Sequence, residues 1–302
     1  MSALAGGRMT TAATAGPARL GRSLVWVEHL WTATIWLAVG FFLLNVAAVI
    51  AAVVVNSFGT RWQGGTWLPA GATTRWYSSA WVEFSLDQVL MVTGQITLLV
   101  VAISLLIGVP AAYALARRDF ALKRYVVLIF LLPLIVPPIT YGIPLATVLY
   151  RSTLGGTMSG VVLANLVPAV PFVVLVMTPF IEQIDPRLES AARVLGAGTA
   201  RIFFQILAPL LAPGILAAAL LVTVRTLSMF ELTFLTSGPE SQTLVVALYY
   251  SVFAGGVRAG QAIDAMAVLY MVNTLFFLIV ALRFVNPTQI VTRVKEHPRA
   301  AA

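Results

Sequence analysis

Long apolar stretches separated by shorter polar ones set the plan of this chain. Six of them run over residues 31–55, 89–116, 125–150, 159–181, 214–236 and 263–283. The first is 25 residues long, enough to cross the roughly 30 Å of a bilayer's hydrocarbon and longer than the core of a secretory leader. The pattern predicts an all-α membrane protein with six transmembrane helices. Gly108 and Pro110 interrupt the second stretch, Pro133, Pro137, Pro138 and Pro144 the third, and Pro168, Pro171 and Pro179 the fourth. Proline breaks the backbone ladder, so these helices are expected to be kinked and packed against protein. Residues 1–30 form a small polar N-terminal segment, 31–285 the transmembrane part and 286–302 a basic tail.

Between the fourth and fifth stretches lies a polar, helix-friendly insert, DPRLESAARVLGAGTARIFFQILAPLLAP, at residues 185–213. Asp185 suits an N-cap, Pro186 the first helical position and Gly196 a left-handed exit. A short helix over 186–195 follows. After the Gly-Ala-Gly break, Thr199 can cap a second helix with Ile202, Phe203 and Ile206 on its apolar face, stopped by Pro209. Two short helices meeting at a glycine elbow are thus expected within a loop of 182–213.

This insert resembles the EAA loop of permease subunits in ATP-binding-cassette importers, whose pattern is Glu-Ala-Ala, three residues, Gly, nine residues, Ile-x-Leu-Pro. Gly196, Ile206 and Pro209 fall at that spacing, and Ala191, Ala192, Arg193, Leu195, Gly196 and Ala197 resemble its common AAR-x-LGA version. Six residues before Gly196 stands Ser190, so the family's acidic residue is either lost or supplied by Glu189; Ala208 replaces the leucine before the proline. The resemblance implies that Glu189, Ser190, Ala191, Ala192, Gly196, Ile206 and Pro209 form an element docking into an ATPase. It also implies a type I importer permease fold. The expected partners are an ATP-binding-cassette ATPase dimer, a second permease subunit that is a different chain, and an extracytoplasmic solute-binding protein. No second copy of the motif occurs, so the chain holds one permease module.

Composition agrees with a membrane setting: 60% of residues are hydrophobic and 10% charged, and the mean hydropathy is +0.94, too apolar for a soluble globule. The net charge of +8 could suggest nucleic acid, but its distribution explains it better. Fourteen of the 19 Lys and Arg residues flank the stretches on the side of the insert and both termini, four lie on the other side, and Arg225 is inside a stretch. This bias is expected to put both ends and the insert in the cytoplasm, and the resemblance implies a multi-pass protein of the bacterial inner membrane. With no Cys, and with His29 and His297 outside the apolar stretches, neither a metal site nor a catalytic residue is expected. The two lysines, Lys123 and Lys295, lie outside any G-x-x-x-x-G-K-[ST] loop, so no cofactor is expected in this chain; ATP and Mg belong on partner ATPase subunits.

The 56–88 segment, read as extracytoplasmic, carries Trp62, Trp67, Trp76, Tyr77 and Trp81. Rings of this kind prefer the headgroup level, a simpler explanation than an aromatic ligand cage. In the fifth stretch, Arg225 and Glu231 are charges at membrane depth, where an Arg or Asp costs about 2.5–3.5 kcal/mol. On one continuous helix they would stand about 120° and about 9 Å apart, with Ser228 between them completing a slanted polar stripe. The stripe is expected to line a solute path, or else to lock two subunits together. The C-terminal third resembles permeases for spermidine/putrescine, iron(III) or aminophosphonate, which favours a polyamine as solute. A carrier driven by an ion gradient is the competing class, but such carriers usually show internal repeats, and none is evident here.

Overall fold

The computed structural model describes residues 20–60, 68–253 and 259–284. Arg8, Arg19, Trp62, Trp67, Arg258 and the basic tail lie outside them. The secondary structure of the described residues is α-helical apart from one π-helical turn, with two isolated β-bridges, Gly59 with Ala72 and Gly156 with Ser237. The helices are α1 (Leu20–Phe58), α2 (Arg75–Glu83), α3 (Leu86–Arg117), α4 (Lys123–Ile135), α5 (Pro138–Arg151), α6 (Met158–Glu182), α7 (Pro186–Val194), α8 (Thr199–Ile202), a π-helical turn (Phe203–Leu207), α9 (Ala208–Leu227), α10 (Glu231–Thr236), α11 (Leu244–Phe253) and α12 (Gly260–Phe284). Among the described residues five helices are long and apolar enough to cross a membrane, and the count reaches six if the bent pair α4–α5 is taken as one broken span.

The chain divides into two compact units, the first ending at Ala52. That unit is most of α1, with exposed Trp31, Trp36, Phe41 and Phe42. Its polar groups turn back on their own helix: Thr34 Oγ1 donates to the Leu30 carbonyl at 2.8 Å and Asn45 Nδ2 to that of Phe41 at 3.4 Å. A helix facing lipid must satisfy its polar atoms in this way.

The second unit is built on α3 and α6, against both of which α9 packs; α12 packs on α9 and α2, and α10 on α5 and α6. Buried Ile96, Val100, Val109, Val173, Met177 and Val222 form much of its core. Gly108 sets the crossing of α3 and α6, because a Cβ there would lie 2.6 Å from Val173 Cγ1. Small residues let membrane helices approach closely, where packing, not water exclusion, holds them together. Gly108→Val is therefore expected to cost about 1–3 kcal/mol of stability through overpacking, read as a lower unfolding midpoint of the purified protein in detergent. An unchanged midpoint would mean the crossing is loose.

Three elements differ from the sequence expectation. The third apolar stretch is broken into two helices bent by 99°, far more sharply than a kink. Val136 and Pro137 each precede a proline and are both extended, with ψ of 131° and 133°. A residue before proline is pushed out of the helical region, so two prolines in a row force a corner. The helix after the elbow is not capped by Thr199 nor stopped by Pro209: Gly198 is its N-cap, without a side-chain bond, and the helical path runs from Thr199 to Leu227. The π turn just before Pro209 bonds the Ala208 N–H to the Phe203 carbonyl; such turns absorb a disturbed ladder inside a helix. Finally, the fifth stretch breaks between Leu227 and Glu231. Ser228 Oγ bonds back to the carbonyls of Val224 and Arg225, at 3.0 and 3.2 Å, and competes with the backbone ladder there.

In the 56–88 segment, Trp76 Nε1 donates to the Gly59 carbonyl at 2.7 Å, under an Arg75 guanidinium 4.6 Å from the ring centroid. Trp81 is exposed. Nearby, the side chains of Asn56 and Asp264 are hydrogen-bonded, joining the end of α1 to α12.

Candidate functional site

The 185–209 insert folds into the expected elbow. Asp185 caps α7 by accepting the Arg187 N–H at 2.9 Å, and Pro186 takes the first position. At the other end Gly196 has φ +80°, the Gly196 N–H bonds to the Arg193 carbonyl and the Ala197 N–H to that of Ala192. This paired bonding closes a helix around a left-handed residue and favours glycine at that point.

The helix α7 buries Glu189 and Ala192, three apart on one face, and exposes Ser190 and Ala191. Both oxygens of the Glu189 carboxylate are engaged. Tyr113 Oη donates to Oε2 at 2.5 Å and Arg117 Nε to Oε1 at 3.0 Å, while Arg117 Nη2 donates to the Ile184 carbonyl at 2.6 Å. One arginine thus ties the end of α3 to the start and the middle of the elbow. Ser190 makes only a 3.3 Å bond to the Pro186 carbonyl in its own helix. Beside the pair opens a cleft of about 600 Å³ lined by Tyr113, Arg117, Arg118, Glu189, Arg193 and Thr199 among others. Past the elbow, Ile206 is half-buried against the core and Pro209 is exposed.

Val194 and Leu195, at the tip, are each 87% exposed. Two adjacent apolar side chains held out on a rigid turn form a knob. Sequence reasoning missed it, and it also missed Tyr113 and Arg117, because Arg117 was read only as part of a basic flank. Their i,i+4 spacing, which puts a hydroxyl and a guanidinium on one face of α3, was the available signal.

The Arg225 region is arranged differently from the expected stripe. The Arg225 Nε is buried without a hydrogen-bond partner, and its guanidinium carbon stands 5.3 Å from the centroid of the Phe172 ring on α6. Ser228 is exposed at the break and bonded to its own backbone. Glu231 opens α10, half-buried, where a carboxylate suits a helix N-terminus. Arg225 and Glu231 lie on separate helices, and the ion pairs among the described residues are Arg117–Glu189 and Lys123–Asp119. Asn165 fixes α10 from α6 through a 3.3 Å bond to Thr233 Oγ1. Phe230, Phe234 and Tyr249 pack ring to ring at 4.9–5.2 Å over the same break.

Comparison with known proteins adds four findings. Residues 104–290 match the family model described as "Binding-protein-dependent transport system inner membrane component". The molybdenum transport system permease protein ModB of Haemophilus influenzae is 34% identical over 175 residues, 53% of this chain and 76% of that protein. The molybdate/tungstate transport system permease protein WtpB of Pyrococcus abyssi is 32% identical over 165 residues, 54% and 65% of the two chains. Among solved structures, a chain of a bacterial ABC transporter involved in the import of the acidic polysaccharide alginate superposes with a TM-score of 0.72, covering 86% of this chain and 98% of that one at 18% identity. The last of these is a likeness of fold.

Proposed function

Since the chain belongs to the family of binding-protein-dependent transport system inner membrane components and is a multi-pass inner-membrane protein, we propose that it is the permease subunit of an ATP-driven importer of a tetrahedral oxyanion such as molybdate. The observation that carries the importer reading is the elbow: an apolar knob at Val194 and Leu195, on a loop whose flanking charge supports a cytoplasmic position. A loop built to be pushed by a partner needs an exposed contact and a stiff mounting, and this one has both. ATP and Mg belong to that partner, an ATPase dimer. A second permease subunit and an extracytoplasmic solute-binding protein complete the assembly.

The solute reading changes from the sequence expectation. The relatives named above handle molybdenum and molybdate or tungstate, so a polyamine is no longer favoured. Fold alone does not choose a solute. The Arg225 side chain supports an anion: a guanidinium with a free buried N–H offers a forked donor to an oxyanion at membrane depth. Glu231, at the start of α10, then serves at the edge of the path to keep anions from lodging there.

Reconstitution tests the reading. Proteoliposomes holding this chain with its co-purifying ATPase and binding protein are expected to accumulate molybdate only with ATP on the cytoplasmic side. Accumulation driven by an ion gradient without ATP would overturn the importer reading; ATP-driven uptake of putrescine but not molybdate would overturn the solute.

A further inference from the structure

We infer that Tyr113 and Arg117 are positioning residues that hold the coupling elbow to α3 through Glu189, so that this carboxylate transmits movement inside the permease instead of contacting the ATPase. The inference rests on the importer reading above and assigns the acidic residue of the loop a different task from docking. Glu189 is 6% exposed, and its two oxygens are already taken by Tyr113 and Arg117. A partner protein could reach it only by displacing a charge-assisted pair whose side chains are 8% and 13% exposed. Such bonds are among the stronger ones.

The geometry also gives the pair a mechanical purpose. The covalent chain alone joins α7 to α6 on one side and, through the Gly196 elbow, to α8 on the other. Neither link reaches α3. The Arg117 guanidinium supplies the missing one, since it grips both Glu189 and the Ile184 carbonyl of the linker between α6 and α7. Tyr113, one turn earlier on α3, gives the second oxygen a donor, and its ring meets Phe203 of the π turn edge-on at 6.4 Å. The α3 helix is thereby fixed to the elbow on both sides of Gly196. With this latch intact, a push on the knob moves α3 and α6 together; without it, the elbow can tilt alone.

The test is a double-mutant cycle in the reconstituted complex, reading molybdate accumulated per ATP hydrolysed. Glu189→Gln and Arg117→Ala are each expected to lower that ratio about tenfold, a usual size for coupling between sites, while the ATPase still co-purifies. Their combination is expected to be no worse than either alone, because both remove the same link. Tyr113→Phe, which deletes a single hydroxyl and should fold, is expected to lower the ratio about threefold. Unchanged ratios in the single variants, or losses that multiply in the double one, would overturn the latch. Loss of the ATPase from Glu189→Gln but not from Arg117→Ala would make Glu189 a docking contact and overturn it too. A wild-type chain that recruits no ATPase would instead defeat the importer reading, a result visible before any variant is made.

Discussion

Permease carrying Val194→Gln and Leu195→Gln together is expected to reach the membrane folded and to come out of it without its ATPase. Both side chains are 87% exposed, so they contribute little to the fold, and exposed substitutions usually change stability by less than about 0.5 kcal/mol. On the proposed importer reading, their contribution comes on docking. Burying a Val or Leu side chain is worth about 1.5–3 kcal/mol, so losing both should weaken recruitment at least about a hundredfold. Glutamine is preferred to aspartate because a negative charge at the end of α7 would oppose the helix dipole and blur the result. The measurement is the amount of ATPase retained on the tagged permease across a dilution series, beside its unfolding midpoint. Full retention at every dilution would show that the knob is not the contact.

Arg225→Met is the second large effect. Met keeps an unbranched, flexible apolar side chain that can still pack toward Phe172, while removing the guanidinium that stands over that ring. If Arg225 holds an oxyanion during passage, uptake should fall about ten- to a hundredfold, as expected for loss of a hydrogen bond to a charged group. Arg225→Lys should restore only part, since an ammonium offers a point charge in place of a planar fork. The rate of ATP-driven molybdate uptake measures this. Separation of the two permease subunits in Arg225→Met, with uptake per intact complex unchanged, would make Arg225 an interface lock instead.

Much of this architecture could be read from apolar run length, which is why the long helices were recoverable. The elbow was legible for a local reason: Asp185, Pro186 and Gly196 each encode one backbone state, whatever packs around them. The misreadings came where neighbours decide. Pro137 and Pro138 announce a break, but the 99° corner depends on α4 lying on α6 while α5 lies against α10. Pro209 looked like a stop because a proline's effect depends on whether the turn before it can adjust, and here a π turn does. The break at Ser228 was hidden because FELTFL is as apolar as the helix before it. In the candidate site, the motif spacing fell on Ser190 with Glu189 beside it; Glu189 is the buried one of the two, and its partners lie 72 and 76 residues back in the chain. No local pattern encodes a pairing at that distance.

The tight crossing at Gly108 has one further consequence. Because a Cβ at Gly108 would collide with Val173, α3 and α6 are expected to tilt as one body from the elbow. The α6 helix has 25 residues, about 37 Å at 1.5 Å per residue, so a tilt of about 10° around its elbow end would sweep its far end through about 6 Å. A displacement of that size is wider than a small oxyanion, and the chain is already creased where such a sweep needs give, at Pro137 and at Ser228.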